Sequence, residues 1–303
     1  MQPIQISVSK PKPVKSPEAL ERSIIRMVGS ALKDFNLIEN GDRVMVAVSG
    51  GKDSYTLLHI LRKFQRRAPI RFDLMAVNVH PGWDNYRTDI IEEYLRRESY
   101  EYHMELTQMR EVIDAKMDPR ATLCSMCARL RRGVLYRLAK EHGATKIALG
   151  HHADDLIETL LMSIFFQGEI RSMPPRLVSD DGENVVIRPL CYVPEEHTRR
   201  YALLQGFPVI CCGCPICGDT TLQRPKIKWL LKELEAQNPR LKRTMLASLG
   251  NVTLGHLLDR RYLSLNGEKR RSAAGAGSDW PLPLREGELD GTVSSGCGER
   301  VVS

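Results

Sequence analysis

The sequence predicts an α/β protein with a doubly wound, mainly parallel five-stranded sheet, Rossmann-like, extended by helices on its C-terminal side. Three observations predict it. Val44-Met45-Val46-Ala47-Val48 is an unbroken apolar run, the mark of a strand buried on both faces, and it leads through Ser49-Gly50-Gly51 into a helical pattern (Tyr55, Leu57, Leu58, Leu61). Strand and helix patterns then alternate as far as Leu149, the rhythm of βαβ units. Beyond Leu222 only basic helical stretches follow.

Each element has its own signal. Lys10-Pro11-Lys12-Pro13 marks residues 1 to 15 as a disordered basic lead without the apolar core of a signal peptide. Ser16-Pro17-Glu18 opens a helix whose apolar face is Leu20, Ile24, Val28 and Leu32, ending near Asn36. Asp53 or Ser54 is expected to cap the helix after the glycines. Phe72 to Val79 reads as the second strand, Tyr86 to Arg97 as a helix, and Tyr102 to Leu106 as the third strand. Leu130, Val134, Leu135 and Leu138 give a helix closed by Gly143, followed by a fourth strand, Lys146 to Leu149. A helix starts at Asp154-Asp155; Asn184 to Leu190 is the fifth strand, and Pro194 opens a helix to about Gln205. Basic helices then run from about Ile227 and from Asn238 to Leu249, and Leu254 to Leu258 is expected to dock on a domain covering 16–260. Residues 265 to 303, rich in Gly, Ser, Ala, Pro and charge, read as a disordered tail.

The net charge of +7 suits a polyanionic partner, though basic enzymes without one are common. No apolar run approaches the roughly 20 residues that span a bilayer, so a cytoplasmic protein with no membrane partner is expected. Eight cysteines in such a chain point to metal or catalytic sulfur rather than a disulfide framework.

Three motifs carry chemistry. A glycine turn between strand and helix presents N–H groups and a helix dipole to one anion, so Ser49-Gly50-Gly51-Lys52-Asp53-Ser54 is a phosphate cradle; its spacing is not that of a Walker A loop. Gly150-His151-His152-Ala153-Asp154-Asp155 places two carboxylates where a helix starts at another strand end, suited to Mg²⁺ or ATP, although capping alone would also use them. His80, beside a turn, is read as capping its loop. Cys124-x-x-Cys127 opens a helix, where the dipole lowers a thiol pKa, and Cys214-x-x-Cys217 pairs with it. Two such pairs suit zinc or an iron–sulfur cluster, and spacing does not choose between them. Cys191, Cys211, Cys212 and Cys297 are read as non-ligands, although Cys211 or Cys212 could take the place of Cys214 by a slip of register. Arg129, Arg131, Arg132 and Arg137 form either a solvated face or a phosphate-facing one.

The string SGGKDS resembles the PP-loop of the ATP pyrophosphatase superfamily, which has a HUP-like fold. With C-S-x-C-x-R-L-R-R-G, G-H-x-x-D-D and C-x-x-C-G before L-Q-R, the chain from about 20 to 260 is similar to the tRNA cytidine 32 2-sulfurtransferases. The resemblance implies that ATP adenylates the C2 oxygen of cytidine 32 in the tRNA anticodon loop, with release of pyrophosphate and AMP, before sulfur replaces that oxygen to give 2-thiocytidine. It implies ATP contacts at Ser49, Gly50, Gly51, Lys52, Asp53, Ser54, Val79, Gly150 and Asp155, with Lys52, Asp53 and Asp155 catalytic and Mg²⁺ near Asp53. It also implies one [4Fe–4S] cluster per subunit on Cys124, Cys127 and Cys214, a cysteine desulfurase as sulfur source, and a homodimer. The rivals are a 2-thiouridine synthetase, a lysidine synthetase (which needs no cysteine cluster), and a zinc-stapled tRNA-binding protein without catalysis.

Overall fold

The computed structural model describes residues 16–116, 122–216, 218–219 and 222–262. The expectations for the lead, the tail, Cys217 and Cys297 lie outside them. The apolar run forms β1 (Arg43–Ala47), and alternation sends its side chains to opposite faces. Val44 and Val46 join a core with Ile24, Met27 and Val28 of α1 (Pro17–Asp34) and Leu57, Leu58 and Leu61 of α2 (Lys52–Arg67). Met45 joins a second core with Leu135 and Leu138 of α5 (Leu123–Glu141).

The remaining strands are β2 (Asp73–His80), β3 (Glu101–Leu106), β4 (Lys146–Ala148), β5 (Arg176–Val178) and β6 (Val185–Ile187). The sheet order is β3-β2-β1-β4-β6-β5, parallel except for β5 against β6. Six strands therefore stand where five are expected. The extra one is an exposed three-residue edge joined to β6 by a turn, in which Gly182 has φ +76° and donates to the Ser179 carbonyl. It is too short to show a period in the sequence.

The chain leaves β1 toward β2 on one side and later places β4 on the other. The crevice between the carboxyl ends of β1 and β4 is the switch point where such sheets bind ligands. The other helices of this half are α3 (Thr88–Arg97), α4 (Met109–Lys116), α6 (Ala153–Gln167) and α7 (Glu195–Gln205), the last two bringing Asp155 and Glu195 to the crevice in their first turns. On the C-terminal side, Ile227 and Leu231 of α8 (Gln223–Gln237) bury against Ile157 of α6, and α9 (Leu241–Leu249) adds Met245. Of the patch Leu254 to Leu258, Leu257 is half-buried while Leu258 is fully exposed, so only part of it lies against the domain. Among the described residues no helix is long and apolar enough to cross a membrane.

Candidate active site

At the end of β1 the backbone turns through Gly50 at φ +78°, a conformation that glycine adopts without strain. Contrary to expectation, neither Asp53 nor Ser54 caps α2. The helix begins at Lys52 behind Gly51, with no side-chain cap. Ser54 instead stitches the loop: its hydroxyl donates to the Gly51 carbonyl (2.9 Å) and accepts from the Ser49 N–H (3.2 Å). Behind the loop, Asn78 Nδ2 donates to the Val48 carbonyl and the Tyr86 hydroxyl, and that hydroxyl donates to the Ser49 carbonyl. The turn is thus held from its core side, while a helix start without a side-chain cap suits an anion.

Lys52 lies across the mouth. Its ammonium donates to Asp53 Oδ2 (2.9 Å) and Glu195 Oε1 (3.0 Å). Burial works against its charge, but Asp53 and Glu195 outweigh burial and raise its pKa. Glu195, in the first turn of α7, also takes Lys228 of α8 at 2.7 Å. Burial opposes its charge too, yet Lys52 and Lys228 hold its carboxyl down to about 2. The Thr198 hydroxyl, one turn on, is within hydrogen-bond distance of Asp53 Oδ1 and the Glu195 carbonyl.

The second motif faces this group across the crevice. Gly150 is required by contact, because a Cβ there would lie 3.1 Å from the Asp53 carbonyl carbon and the Ser54 nitrogen. His152 and Asp155 form a reciprocal cap: the His152 N–H donates to Asp155 Oδ2 (3.0 Å) and the Asp155 N–H to His152 Nδ1 (3.3 Å). With Nδ1 accepting, the ring proton sits on Nε2, which faces Asp53 and Glu195 at 3.9 Å. Asp155 Oδ1 accepts from Arg224 of α8 at 3.1 Å, and the same guanidinium binds buried Glu158 at 3.0 Å. Burial raises the Glu158 pKa despite Lys228 and Arg224. Asp154 points away, accepting from the Glu195 N–H and pairing with Lys242. His151 accepts from Arg188, and burial, then Arg188, lower its pKa to about 4. Val79 is buried near the end of β2, with its side chain in the second core. His80 does cap its loop, its Nδ1 accepting from the Gly82 N–H at 3.0 Å.

Cys124 lies in the first turn of α5 and Cys127 at the start of the second, behind Thr122, whose hydroxyl accepts from the Ser125 N–H. Cys212 and Cys214 approach them from the segment after α7, with their sulfurs 3.2 Å apart. The thiols sense one another: burial first, then Cys127 and Cys212, raise the Cys124 pKa, and burial with Cys212 pushes Cys214 up to about 11. The depressed pKa expected at a helix start is therefore reversed for Cys124, because burial and neighbouring sulfurs outweigh the dipole. Cys191 is wholly buried away from the group, and Cys211 is held in a disulfide. Among the described residues no three of His, Cys, Asp and Glu close on a single metal ion. Soft sulfur donors converging from two segments are nonetheless the donor chemistry that iron–sulfur clusters take.

This cysteine segment touches the phosphate loop. The Ile210 N–H donates to the Gly50 carbonyl at 2.9 Å, and a Cβ on Gly50 would lie 2.4 Å from the Ile210 side chain. Gly213, at φ +67°, lets the segment rest on the backbone of Asn85 and Tyr86.

Comparison with known proteins decides the family. A PP-loop domain model matches residues 20–208. A tRNA-cytidine(32) 2-sulfurtransferase of Geobacter metallireducens is 52% identical over 79% of this chain and 93% of its own length. The chain belongs to the tRNA-cytidine(32) 2-sulfurtransferase family. An Anaeromyxobacter relative of the same name is 45% identical over 94% of this chain and 95% of its own. The U34-tRNA thiolase NcsA of Methanococcus maripaludis, solved with its [4Fe–4S] cluster, has the same fold, with a TM-score of 0.65 at 21% identity over 78% of this chain and 79% of that one.

In this member of the tRNA-cytidine(32) 2-sulfurtransferases, the crevice gathers Ser49 to Ser54, Gly150 and Asp155, while Cys124 lies near enough to Cys127, Cys212 and Cys214 for their charges to act on one another. The sequence reading missed Glu195, Thr198, Arg224 and Lys228 as parts of the site. Arg224 was visible as the end of L-Q-R, but Glu195 reads as an ordinary first-turn acid and nothing marks Lys228.

Proposed function

We propose that this chain thiolates cytidine 32 of a tRNA anticodon loop, using ATP to activate the C2 oxygen and a [4Fe–4S] cluster for sulfur transfer. The observation that carries this reading is the Gly50–Ile210 hydrogen bond, which sets a phosphate loop and a thiol cluster at one mouth. Replacing a stable amide-like oxygen requires making it a leaving group, and adenylation does so. The cytidine oxygen attacks the α-phosphorus, the bond to the β-phosphate breaks, and pyrophosphate leaves.

The chain's residues have distinct work in that step. Ser49, Gly50, Gly51 and Ser54 cradle the leaving pyrophosphate, with Val79 backbone and Gly150 on the nucleotide's flank. Lys52 exchanges Asp53 and Glu195 for phosphate oxygens and stabilises the charge that develops on them. Asp53 and Asp155 would share Mg²⁺ with the phosphates, an arrangement usual for a metal held by one or two carboxylates plus substrate; the ion would add Lewis-acid polarisation. Arg224 holds Asp155 in place until the nucleotide arrives. Sulfur, drawn from a cysteine desulfurase, then displaces AMP at C2. Cys124, Cys127 and Cys214 would hold the cluster, which supplies a soft site for the incoming sulfur. A homodimer in the cytoplasm completes the reading.

Nucleoside mass spectrometry of bulk tRNA from cells with and without the protein tests it. Selective loss of 2-thiocytidine supports it. Persistence of 2-thiocytidine with loss of a thiouridine or lysidine overturns the substrate, and no change in any nucleoside overturns the reaction.

A further inference from the structure

Helix α8 presents three distinct sides. Ile227 and Leu231 bury against α6. Arg224 and Lys228 reach into the crevice, to Asp155 and Glu195. The third side carries Lys226, Trp229 and Lys232 at three-residue spacing, all exposed, with Glu233 beside them. Trp229 leaves 64% of its surface in solvent. Scattered exposed apolar residues need no explanation, but this one is an indole set one turn from a lysine on either side. The preceding residue, Lys228, bonds the glutamate that bonds Lys52, so the indole is set a little over a quarter turn around α8 from a side chain that reaches the crevice.

Resting on the function proposed above, we infer that Trp229 is a stacking platform for an anticodon-loop base adjacent to the target, with Lys226 and Lys232 on the flanking phosphates. The chemistry fits one partner. A base modified at a ring atom has to leave its stack to reach an enclosed site, and its neighbours lose a stacking partner. An exposed indole replaces that partner whatever the base, while ammonium groups one turn away on each side neutralise the backbone. Trp229 thereby sets which unstacked loop the crevice accepts and makes no contact with the reacting atoms.

The test uses the full-length chain, an anticodon stem-loop RNA and a fully paired hairpin of the same length. Trp229→Ala should weaken stem-loop binding by roughly 5- to 150-fold, the range for one base–aromatic stack, leaving hairpin binding within about twofold. Trp229→Phe should recover most of the affinity. Stem-loop should quench wild-type tryptophan emission and leave the residual emission of the Phe variant unquenched. Equal stem-loop affinity for wild type and Trp229→Ala, or equal quenching in wild type and the Phe variant, would overturn the inference. So would a Trp229→Ala effect confined to binding of phosphatidylserine vesicles, which would make the face a membrane contact. The two readings fail separately: if stem-loop binds and Trp229→Ala changes nothing, stacking alone falls; if 2-thiocytidine is unaffected by loss of the protein while the indole still stacks on RNA, the reaction falls and the platform stands.

Discussion

The two halves of the site are built differently. At the nucleotide end, Lys52, Asp53, Asp155, Glu195, Arg224 and Lys228 already pair with one another on strand ends and helix starts. At the sulfur end, Cys124 and Cys212 keep much of their surface in solvent, although α5 packs into the second core and the 210–214 segment is bonded to Gly50. The acidic and basic groups hold each other in position without a ligand, since each charge finds its opposite inside the protein. At the sulfur end like groups face one another instead: burial and neighbouring sulfurs raise the pKa values of Cys124 and Cys214, so a metal that binds there must displace their protons.

The sharpest break of this contrast separates the two ends. Lys52→Ala should lower thiolation at least about 100-fold and weaken ATP binding while iron content stays normal; Cys124→Ser should abolish thiolation and lower iron content while ATP binding stays normal. Nucleoside mass spectrometry, nucleotide titration and iron analysis read the three quantities. If Cys124→Ser also abolished ATP binding, the halves would not be separable.

Gly50→Ala should damage both ends at once. It strains a positive-φ position by roughly 1–2 kcal/mol and drives a methyl into Ile210. Iron content and ATP affinity should fall together, unlike in either preceding variant.

Glu195→Gln probes the self-pairing of the nucleotide end. The folded carboxyl is held at about 2 against an ordinary 4.5, so its contribution is fully present above pH 4.5 and is lost as pH falls toward 2. Urea unfolding should show wild type more stable than the variant at neutral pH, by at most about 3 kcal/mol, with the gap closing between pH 4.5 and 2. A gap that persists at pH 2 would place its origin in packing. Thr198→Val is the mildest change, removing one hydrogen bond to Asp53 at a cost of about 1 kcal/mol by the same measurement.

The sequence made legible what is contiguous. SGGKDS joins strand, turn and helix in one string, and the crevice follows from alternation of elements. The Glu195 pair with Lys52 spans 143 positions and that of Arg224 with Asp155 spans 69, and no local period records either. The edge strand β5 and the short helix α4 escaped notice because each carries too few buried residues to show a pattern. The cap predicted for α2 failed because the helix begins earlier, at Lys52 behind Gly51, which puts Asp53 and Ser54 inside its first turn, and the Ser54 hydroxyl is engaged by Gly51 and Ser49. The C-terminal Leu254 to Leu258 reads as a docking patch by composition alone, whereas burial is decided residue by residue: Leu257 is half-buried and Leu258 lies in solvent.

The Gly50–Ile210 contact carries a thermodynamic obligation. A carbonyl and an N–H at 2.9 Å, with no room for a methyl between their residues, give the loop and the cysteine segment a shared point of contact. A ligand whose seating moves Gly50 either breaks that bond or carries Ile210 with it, while one that leaves Gly50 in place has no effect on the cysteines through this contact. Whatever factor bound nucleotide imposes on the affinity of the thiols for their metal, bound metal imposes the same factor on nucleotide affinity.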